Sequence, residues 1–420
     1  MAAGAPEDTP VSALASPSRA DVSLLASAGL LQVGANAAAA VVATIVLGPA
    51  GRGEMVLGTT IGSVCALLGG LGTGQALRSA LPVAGPPDRE RVLRSYAWCT
   101  AGGAAVAAGL AAGGCAVSSS LTGLSLSSVG FLVAVAAATA VQVVAAQASE
   151  AWYADGLFRP GGLWSAACAA GGLVTVTVAA VAGGAGAAGL LAAQAAGTAV
   201  VCLVQLHGLG RIGLLGAGRP EGAAVRLLVG RGAPALGLTL GLAVALRSDR
   251  YVLGAVAGPA AVGVYSVAAT LSEVSRVVPQ AVGQFFVRHV ALGGSGRLNV
   301  WVSRAALFSA LGGVVVATAG WVLVVPVFGM PFAHARELLL VLVVAETCLA
   351  PYVVASRGLV GGGRTRVAGA FGLAAGVASV GCYVLGVKLG GSMGLAVSCV
   401  ALYCGLSAVA VALFRGREPR

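Results

Sequence analysis

The sequence predicts an all-α integral membrane protein of about twelve transmembrane helices, arranged as two six-helix bundles related by a parallel internal repeat. Three observations support this: an apolar composition, apolar runs of membrane-spanning length, and a motif that recurs half a chain later. Charged residues make up only 9% of the 420 residues and hydrophobic residues 58%, whereas a soluble domain carries about 25% charged residues. The mean hydropathy is +0.94. The bilayer is therefore the solvent for most of the chain.

Apolar runs of about 20 residues, the length that crosses ~30 Å of hydrocarbon, follow one another along the chain. They are continuous Ala, Val, Leu and Gly runs, without the alternation that a transmembrane β-barrel needs. Only Gly183, Gly184 and Gly186 divide the fifth span from the sixth, and the eighth carries Glu273 and Arg276. The predicted spans are 22–47, 55–77, 92–116, 126–149, 162–183, 187–207, 225–246, 260–287, 301–327, 337–356, 366–387 and 393–414.

Basic residues are distributed unevenly between alternate loops, which predicts the orientation. With the N-terminus in the cytoplasm, most arginines fall on the inner side, and the outer side has Arg52, Arg247, Arg250, Arg336 and Lys388. We therefore expect a multi-pass protein of a bacterial inner (plasma) membrane with both termini cytoplasmic. The predicted domains are a disordered cytoplasmic tail (1–20), an N-terminal bundle (21–210), a cytoplasmic linker (211–226), a C-terminal bundle (227–414) and a second tail (415–420).

A Gly-Pro-Ala motif occurs twice, 210 residues apart. Gly48-Pro49-Ala50 recurs as Gly258-Pro259-Ala260. Because each copy holds six spans, an even number, the copies share one orientation, as in the parallel repeats of transporters, whose substrate cavity lies between the halves near the midplane. Further identities at this offset are Gly53/Gly263, Thr60/Thr270, Val64/Val274, Arg78/Arg288, Arg94/Arg304, Gly102/Gly312, Gly103/Gly313 and Val106/Val316.

Several function classes are excluded by composition and motifs. The nine cysteines form no CxxC pair and the chain has three histidines, so we predict no metal and no cofactor. The net charge of +11 is not gathered into a basic stripe with interleaved aromatics, so nucleic acid is not a predicted partner. No GxxxxGK[ST] phosphate loop occurs and no loop is long enough for a catalytic domain, so we do not expect an enzyme.

One stretch in each half resembles Wzx-type oligosaccharide flippases. Residues 47–82, LGPAGRGEMVLGTTIGSVCALLGGLGTGQALRSALP, are similar to the second-helix region of that family, and residues 247–291 are similar to its seventh-to-eighth helix region. The resemblance implies the MATE/MOP-like fold of the multidrug/oligosaccharidyl-lipid/polysaccharide (MOP) exporter superfamily. In that fold two six-helix bundles form a V and work by alternating access. It also implies the flipping of undecaprenyl-pyrophosphate-linked oligosaccharide from the cytoplasmic to the outer leaflet for surface polysaccharide biosynthesis.

With that function, the predicted partners are the lipid-linked oligosaccharide and membrane lipid, with polysaccharide polymerase and glycosyltransferases as candidate protein partners. The alternative on the same fold is a drug or cation antiporter, which uses membrane carboxylates and needs a less basic cavity. A structural scaffold of the cell envelope would instead tolerate alanine at every intramembrane charge. A polyprenyl-linked glycosyltransferase is disfavoured because acidic catalytic loops are missing.

Ionisable residues inside spans usually face a cavity or one another, because burying a charge in lipid costs several kcal/mol. Glu273 and Arg276 lie at i,i+3 and can neutralise each other, or they line the cavity with Arg276 facing a pyrophosphate. Arg247, Asp249 and Arg250 cluster at the outer end of the seventh span. There they either reach into lipid headgroups or form a basic rim of the cavity that receives the phosphate.

Other candidates stand in the first, second and tenth spans. Arg52 either belongs to the cap of the second span or contacts substrate, and guanidinium suits a lipid pyrophosphate because it pairs bidentately and stays charged. Glu346 has no basic partner on its own helix, so it is either protonated or a coupling-ion site. Gln32, Asn36 and Gln75 are candidate sugar contacts, or they join helices by hydrogen bonds.

Overall fold

A computed structural model describes residues 19–122, 126–216, 218–291 and 298–416, and every regular element in these ranges is helical. Most of the predicted N-terminal tail and residues 417–420 therefore lie outside the described residues. The helices are α1 (Arg19–Gly70), α2 (Thr73–Ala80), α3 (Pro86–Thr122), α4 (Val129–Ala154), α5 (Phe158–Ala182), α6 (Ala187–Arg211), α7 (Gly222–Ser272), α8 (Val277–Ala291), α9 (Leu298–Phe328), α10 (Ala335–Gly361) and α11 (Thr365–Arg415).

Three of these helices are hairpins of two spans each. A straight helix of 52 residues, the length of α1, would be about 78 Å long, far beyond the ~30 Å of hydrocarbon. Non-helical backbone interrupts α1 at Gly48 (φ 63°), α7 at Gly258 (φ 82°) and α11 at Gly390 and Gly391. A positive φ favours glycine, and a proline follows two of these kinks at the first position of a helix, where it is tolerated.

The prediction of about twelve spans is confirmed. In the described part of the chain, nine helices are long and apolar enough to cross a membrane, and the three hairpins among them raise the number of spans to twelve. The predicted division between spans five and six is also correct, because α5 ends at Ala182 and α6 begins at Ala187.

The outer surface of the bundles is apolar, as a lipid-facing surface must be. The most apolar window of α9 has a mean hydropathy of 2.2, yet only 17% of its residues are buried inside the protein. Large apolar side chains such as Val181, Val377 and Leu389 are exposed on other helices. A helix that is apolar on its exposed face belongs in lipid rather than in water.

Two bundles, α1–α6 and α7–α11, meet across a pseudo-two-fold axis, as the repeat predicts. A methyl group added at Gly53 would overlap the carbonyl oxygen of Pro259, and one added at Gly263 would overlap the carbonyl oxygen of Pro49. These contacts exchange the two members of each repeat pair, as a two-fold axis between the copies requires. We call the side of the protein that carries the Gly48 and Gly258 kinks the kink end.

A second contact between the bundles lies at the other side, where residues 212–221 connect α6 to α7. We call this side the linker end. Here a methyl group at Gly232 would lie 2.6 Å from the carbonyl carbon of Gly72. The bundles therefore touch at the kink end and at the linker end. The space between these two contacts holds the cavity described below.

Two of the differences between the helices and the predicted spans bear on the charged residues. The seventh span was predicted to end at residue 246, but the helix continues to the kink at Gly258, so Arg247 and Arg250 lie within the membrane-spanning helix and not in an outer loop. The eighth span is interrupted by a 3₁₀ turn at Glu273–Arg276. Its cause is local: Pro279 has no amide hydrogen to donate to the Ser275 carbonyl, and its ring crowds that carbonyl.

Candidate functional site

A polar cavity of about 650 Å³ lies between the bundles. Its size falls within the roughly 300–1,000 Å³ typical of small-molecule sites. Both arms of α1 line it together with α4, α5 and α6 of the N-terminal bundle, and both arms of α7, the 3₁₀ turn and α8 line it from the C-terminal bundle. The central cavity predicted from the repeat is therefore present.

Five charged side chains line this cavity. They are Arg52, Arg247, Arg250, Glu273 and Arg276, all of which the sequence analysis singled out. Four come from a short segment of the C-terminal bundle, and Arg52 comes from the second arm of α1, one turn after the Gly48 kink. The apposition of the two bundles brings Arg52 close enough to Arg250 for their positive charges to repel each other.

The ion pairs differ from the one that sequence spacing suggested. Glu273 pairs with Arg250 of the preceding arm rather than with Arg276, and Arg276 pairs with Glu346 of α10. The second pair is bidentate, with Arg276 Nε donating to Glu346 Oε2 at 2.7 Å. The i,i+3 pair, one of the two alternatives, does not form, because Arg250 binds Glu273 and Glu346 binds Arg276 from neighbouring helices.

Arg52 and Arg247 have no carboxylate partner among the described side chains. Arg52 is only 7% exposed, and its buried Nε has no hydrogen-bond partner in the described part of the chain. A buried cation without a partner is costly. Such a group is consistent with a ligand anion that completes the site.

Asp249 lies behind the cavity wall and holds two of its neighbours, Arg250 and Tyr265, in place. Its carboxylate accepts hydrogen bonds from the Tyr265 hydroxyl at 2.8 Å and from the Arg250 backbone amide at 2.7 Å. Asp249 and Arg250 are both buried, so neither reaches into lipid headgroups. Asp249 is thus a supporting residue, and Arg250 is the member of the pair that faces the cavity.

Glu346 is not the lone carboxylate that its own helix suggested. It is buried in α10 behind Arg276 and holds that guanidinium. The tertiary fold supplies a partner 70 residues away in sequence, which no helical spacing could indicate. A coupling-ion role for Glu346 stays a prediction, and any ion would have to compete with Arg276 for the carboxylate.

Of the three predicted sugar contacts, two line the cavity. Gln32 and Asn36, four residues apart on the first arm of α1, both face it. Gln75 does not: it is exposed on α2 towards the linker end. The predicted second span ran to residue 77, but the helix breaks at Leu71 and Gly72, and Gln75 lies on the exposed face of the short helix α2.

The sequence analysis did not identify the polar residues of α4, α5 and α6 that also line the cavity. These are Gln142, Ser149, Ser165, Gln194 and Thr198. A usable signal was present, because Gln142 and Ser149 are seven residues apart and Gln194 and Thr198 four, each pair on one helical face. Isolated polar residues in long apolar runs usually face the bundle interior or a cavity rather than lipid.

The cavity suits a ligand that combines a polyanionic group with polar, uncharged groups. Even if Asp249 and Glu346 behind the wall are counted as ionised together with Glu273, the four arginines exceed them by one charge. Guanidinium groups bind phosphate oxygens bidentately and remain charged away from water. Hydroxyl and amide groups on the opposite wall can bind neutral hydrogen-bonding groups of the same ligand.

Two pseudo-symmetric six-helix bundles around a charged central cavity define a multi-pass membrane protein of the transporter class. The sequence profile of the polysaccharide biosynthesis protein family matches residues 18–284. This match covers more than half of the chain, and the chain belongs to that family. No curated protein matches the chain at a significant level.

Solved structures with the same fold belong to the MOP superfamily. An inward-facing multidrug resistance MATE family transporter is 15% identical, with a TM-score of 0.71 over 92% of this chain and 94% of that one. The lipid II flippase MurJ in an inward closed conformation is 9% identical, with a TM-score of 0.72 over 93% of this chain and 87% of that one. Together with the family match, these likenesses confirm the resemblance to MOP-type exporters.

Proposed function

We propose that this protein flips undecaprenyl-pyrophosphate-linked oligosaccharide from the cytoplasmic to the outer leaflet by alternating access, for surface polysaccharide biosynthesis. The observation that carries the proposal is the presence of two arginines without carboxylate partners, Arg52 and Arg247, in a cavity between the bundles. The family to which the chain belongs is one of polysaccharide biosynthesis. Within such a pathway, a lipid pyrophosphate is an anion that must cross a membrane.

The chemistry of the site supports a pyrophosphate over a single phosphate or a carboxylate. A lipid pyrophosphate is a dianion or more, and the two bundles contribute one unpaired guanidinium each. Bidentate pairing to both would neutralise the charge of the anion and the repulsion among the arginines. Because the binding groups come from opposite bundles, the substrate itself would link the two bodies that move in alternating access.

The antiporter alternative is less well supported. It rested on Glu346 as a lone membrane carboxylate, and that residue pairs with Arg276. A drug or inorganic cation entering the cavity would meet four arginines and one glutamate, and like charges in a site shielded from water repel strongly. An exchange of a cationic dye for protons, abolished by Glu346→Gln, would favour the antiporter.

The arginine distribution supports a plasma-membrane orientation with both termini in the cytoplasm. In that orientation the linker end faces the cytoplasm and the kink end faces outward. Substrate would enter from the side where glycosyltransferases assemble it and leave on the side where a polymerase uses it. These enzymes are the protein partners we propose.

Replacing Arg52 or Arg247 by glutamine should slow flipping strongly without destabilising the protein. Each charge-assisted hydrogen bond contributes about 1.5–3 kcal/mol, so we expect flipping to slow roughly 10- to 150-fold. Thermal stability should stay equal or rise in Arg52→Gln, because an unpaired buried charge is removed. It should change little in Arg247→Gln, because Arg247 is only half-buried and forms no ion pair. The measurement follows protection of a fluorescent short-chain polyprenyl-pyrophosphate sugar in proteoliposomes, alongside thermal unfolding in detergent.

Arg226→Gln is the matched control, since Arg226 is exposed at the start of α7, near the linker end. It should flip at the wild-type rate. Wild-type rates in both Arg52→Gln and Arg247→Gln would overturn the pyrophosphate assignment. These two variants are preferable to Arg250→Ala and Arg276→Ala, which leave Glu273 or Glu346 without its partner.

A further inference from the structure

The interior of the N-terminal bundle is hollow and polar but almost uncharged. The cavity extends among α1, α4, α5 and α6 as far as Ser149 and Ser165, whose hydroxyls are joined by a 2.9 Å hydrogen bond. Small alanines make up much of the remaining wall on this side. Among the described lining residues of this bundle, Arg52 is the single charged one. This part of the cavity is therefore polar and nearly uncharged, and it is continuous with the arginine cluster.

Large aromatic side chains pack inside the C-terminal bundle, and no described residue of α9, α10 or α11 lines the cavity. The largest fully buried side chains among the described residues all lie in α7–α11 and the adjoining turns. They are Tyr265, Tyr352, Tyr383, Phe286 and Phe332. In the N-terminal bundle the buried aromatics are Tyr96, Phe131 and Trp152, and the most completely buried side chains there are leucines and smaller groups. The two repeats share a backbone plan, but the cavity extends among four helices of the N-terminal bundle and meets only α7, the 3₁₀ turn and α8 of the C-terminal bundle.

The charges follow the same division. At the 210-residue offset, Arg247 and Arg250 correspond to Ala37 and Ala40, and all four positions line the cavity. Corresponding places on the two walls therefore hold guanidinium groups on one side and methyl groups on the other. The duplication has diverged into a cationic wall and a neutral wall that face each other.

The neutral wall carries amide groups without partners. Gln32, Asn36, Gln142 and Gln194 line the cavity, and their side-chain amides make no hydrogen bond within the described part of the chain. Each amide offers two donors and one acceptor oxygen. Free amides beside serine and threonine hydroxyls suit a ligand rich in hydroxyl or acetamido groups and without charge of its own.

We propose that the hollow N-terminal bundle is the glycan subsite, in which Gln142 and Gln194 bind sugar hydroxyls while the arginines hold the pyrophosphate. The inference rests on the proposed function and adds to it a division of labour between the bundles. It assigns glycan selectivity to the N-terminal bundle alone. It also implies a preference for neutral sugars at this subsite, because a charged sugar would lack a counter-ion there.

The double variant Gln142→Leu/Gln194→Leu tests this assignment, since leucine keeps the approximate volume and removes the polar groups. We compare two fluorescent substrates in proteoliposomes: a short-chain polyprenyl-pyrophosphate oligosaccharide and the same polyprenyl pyrophosphate without sugar. Loss of two to four hydrogen bonds should slow the sugar-bearing lipid about tenfold or more. The sugarless lipid should move within about twofold of the wild-type rate. Arg52→Gln should slow both lipids alike.

Gln284→Leu is the control for loss of an amide, because Gln284 is exposed on α8 and outside the cavity. It should leave both rates unchanged. Equal slowing of both lipids in the double variant, or of neither, overturns the glycan subsite while the flippase function stands. If wild-type protein moves neither lipid, the function fails, and binding of a soluble glycosyl diphosphate relative to inorganic pyrophosphate then decides the subsite. Equal wild-type affinities for these two ligands would overturn it.

Discussion

Glu346→Gln should destabilise the protein by about 3–5 kcal/mol, the cost of leaving a buried charge without its partner. Both members of the Arg276–Glu346 pair are largely buried, with 11% and 5% of their side-chain surface exposed. Glutamine keeps the shape of the carboxylate but cannot neutralise the guanidinium, and no other acidic residue pairs with Arg276 in the described chain. Thermal unfolding of the detergent-solubilised protein measures this loss. A monodisperse elution peak checks that the variant is folded before heating.

The same helix supplies a matched control. Glu337 is also in α10 but is exposed, and it is paired with His334 at 3.1 Å. Glu337→Gln should cost no more than about 0.5 kcal/mol. The double variant Arg276→Met/Glu346→Leu should recover most of the stability, because an apolar pair of similar volume can replace a buried ion pair.

A Glu346→Gln protein as stable as the wild type would contradict this expectation. It would mean that Glu346 already carries a proton beside Arg276. The coupling-ion role predicted for Glu346 would then gain support, because a protonated carboxyl in contact with the cavity wall can release and take up a proton during transport. The stability of this one variant therefore distinguishes an ionised Glu346 from a protonated Glu346.

Gly53→Ala and Gly263→Ala should each slow flipping between about 5- and 150-fold. In each variant a methyl group overlaps the carbonyl of the opposite repeat's proline, so the two bundles cannot approach fully at the kink end. Overpacking of this kind costs about 1–3 kcal/mol. The flipping assay gives the rate, and hydrogen exchange of the backbone amides around 255–265 reports the opened contact independently of any substrate.

Gly102→Ala is the appropriate comparison, since a methyl group there meets nothing within 4 Å and Gly102 is also helical. It should leave the rate and the exchange unchanged. In the double variant Gly53→Ala/Gly263→Ala, flipping should slow by less than the product of the two single effects. The first methyl group already separates the bundles at the kink end, so the second methyl group meets less overlap. Fully additive losses would contradict a single closing interface.

Hydropathy and the Gly-Pro-Ala repeat were enough to predict the twelve spans and the two bundles. Both signals are local: lipid solvation requires long apolar helices, and a kink at a positive φ requires glycine in both copies. The errors arose at span ends. Residues 247–250 were assigned to a loop because charges are costly in lipid, yet they lie in a helix that the opposite bundle shields.

Candidate site residues could be identified from the sequence as costly polar groups in apolar runs. That argument found Arg52, Arg250 and Asn36 but missed Gln142 and Gln194, although the latter are equally isolated among apolar neighbours. It also included Gln75, which the structure places outside the cavity. Polarity inside a span indicates that a residue avoids lipid, and it does not specify which interior surface the residue faces.

What the sequence by itself determined is the solvent of each segment, the number of spans and the duplication, because each depends on residue type and spacing along one chain. Tertiary structure alone decided which charges are paired. Glu346 finds Arg276 across 70 residues and Glu273 finds Arg250 across 23, since ion pairing depends on distance in space. It also decided that the cavity extends among helices of the N-terminal bundle, because an interior space is a property of packed helices and not of any single helix.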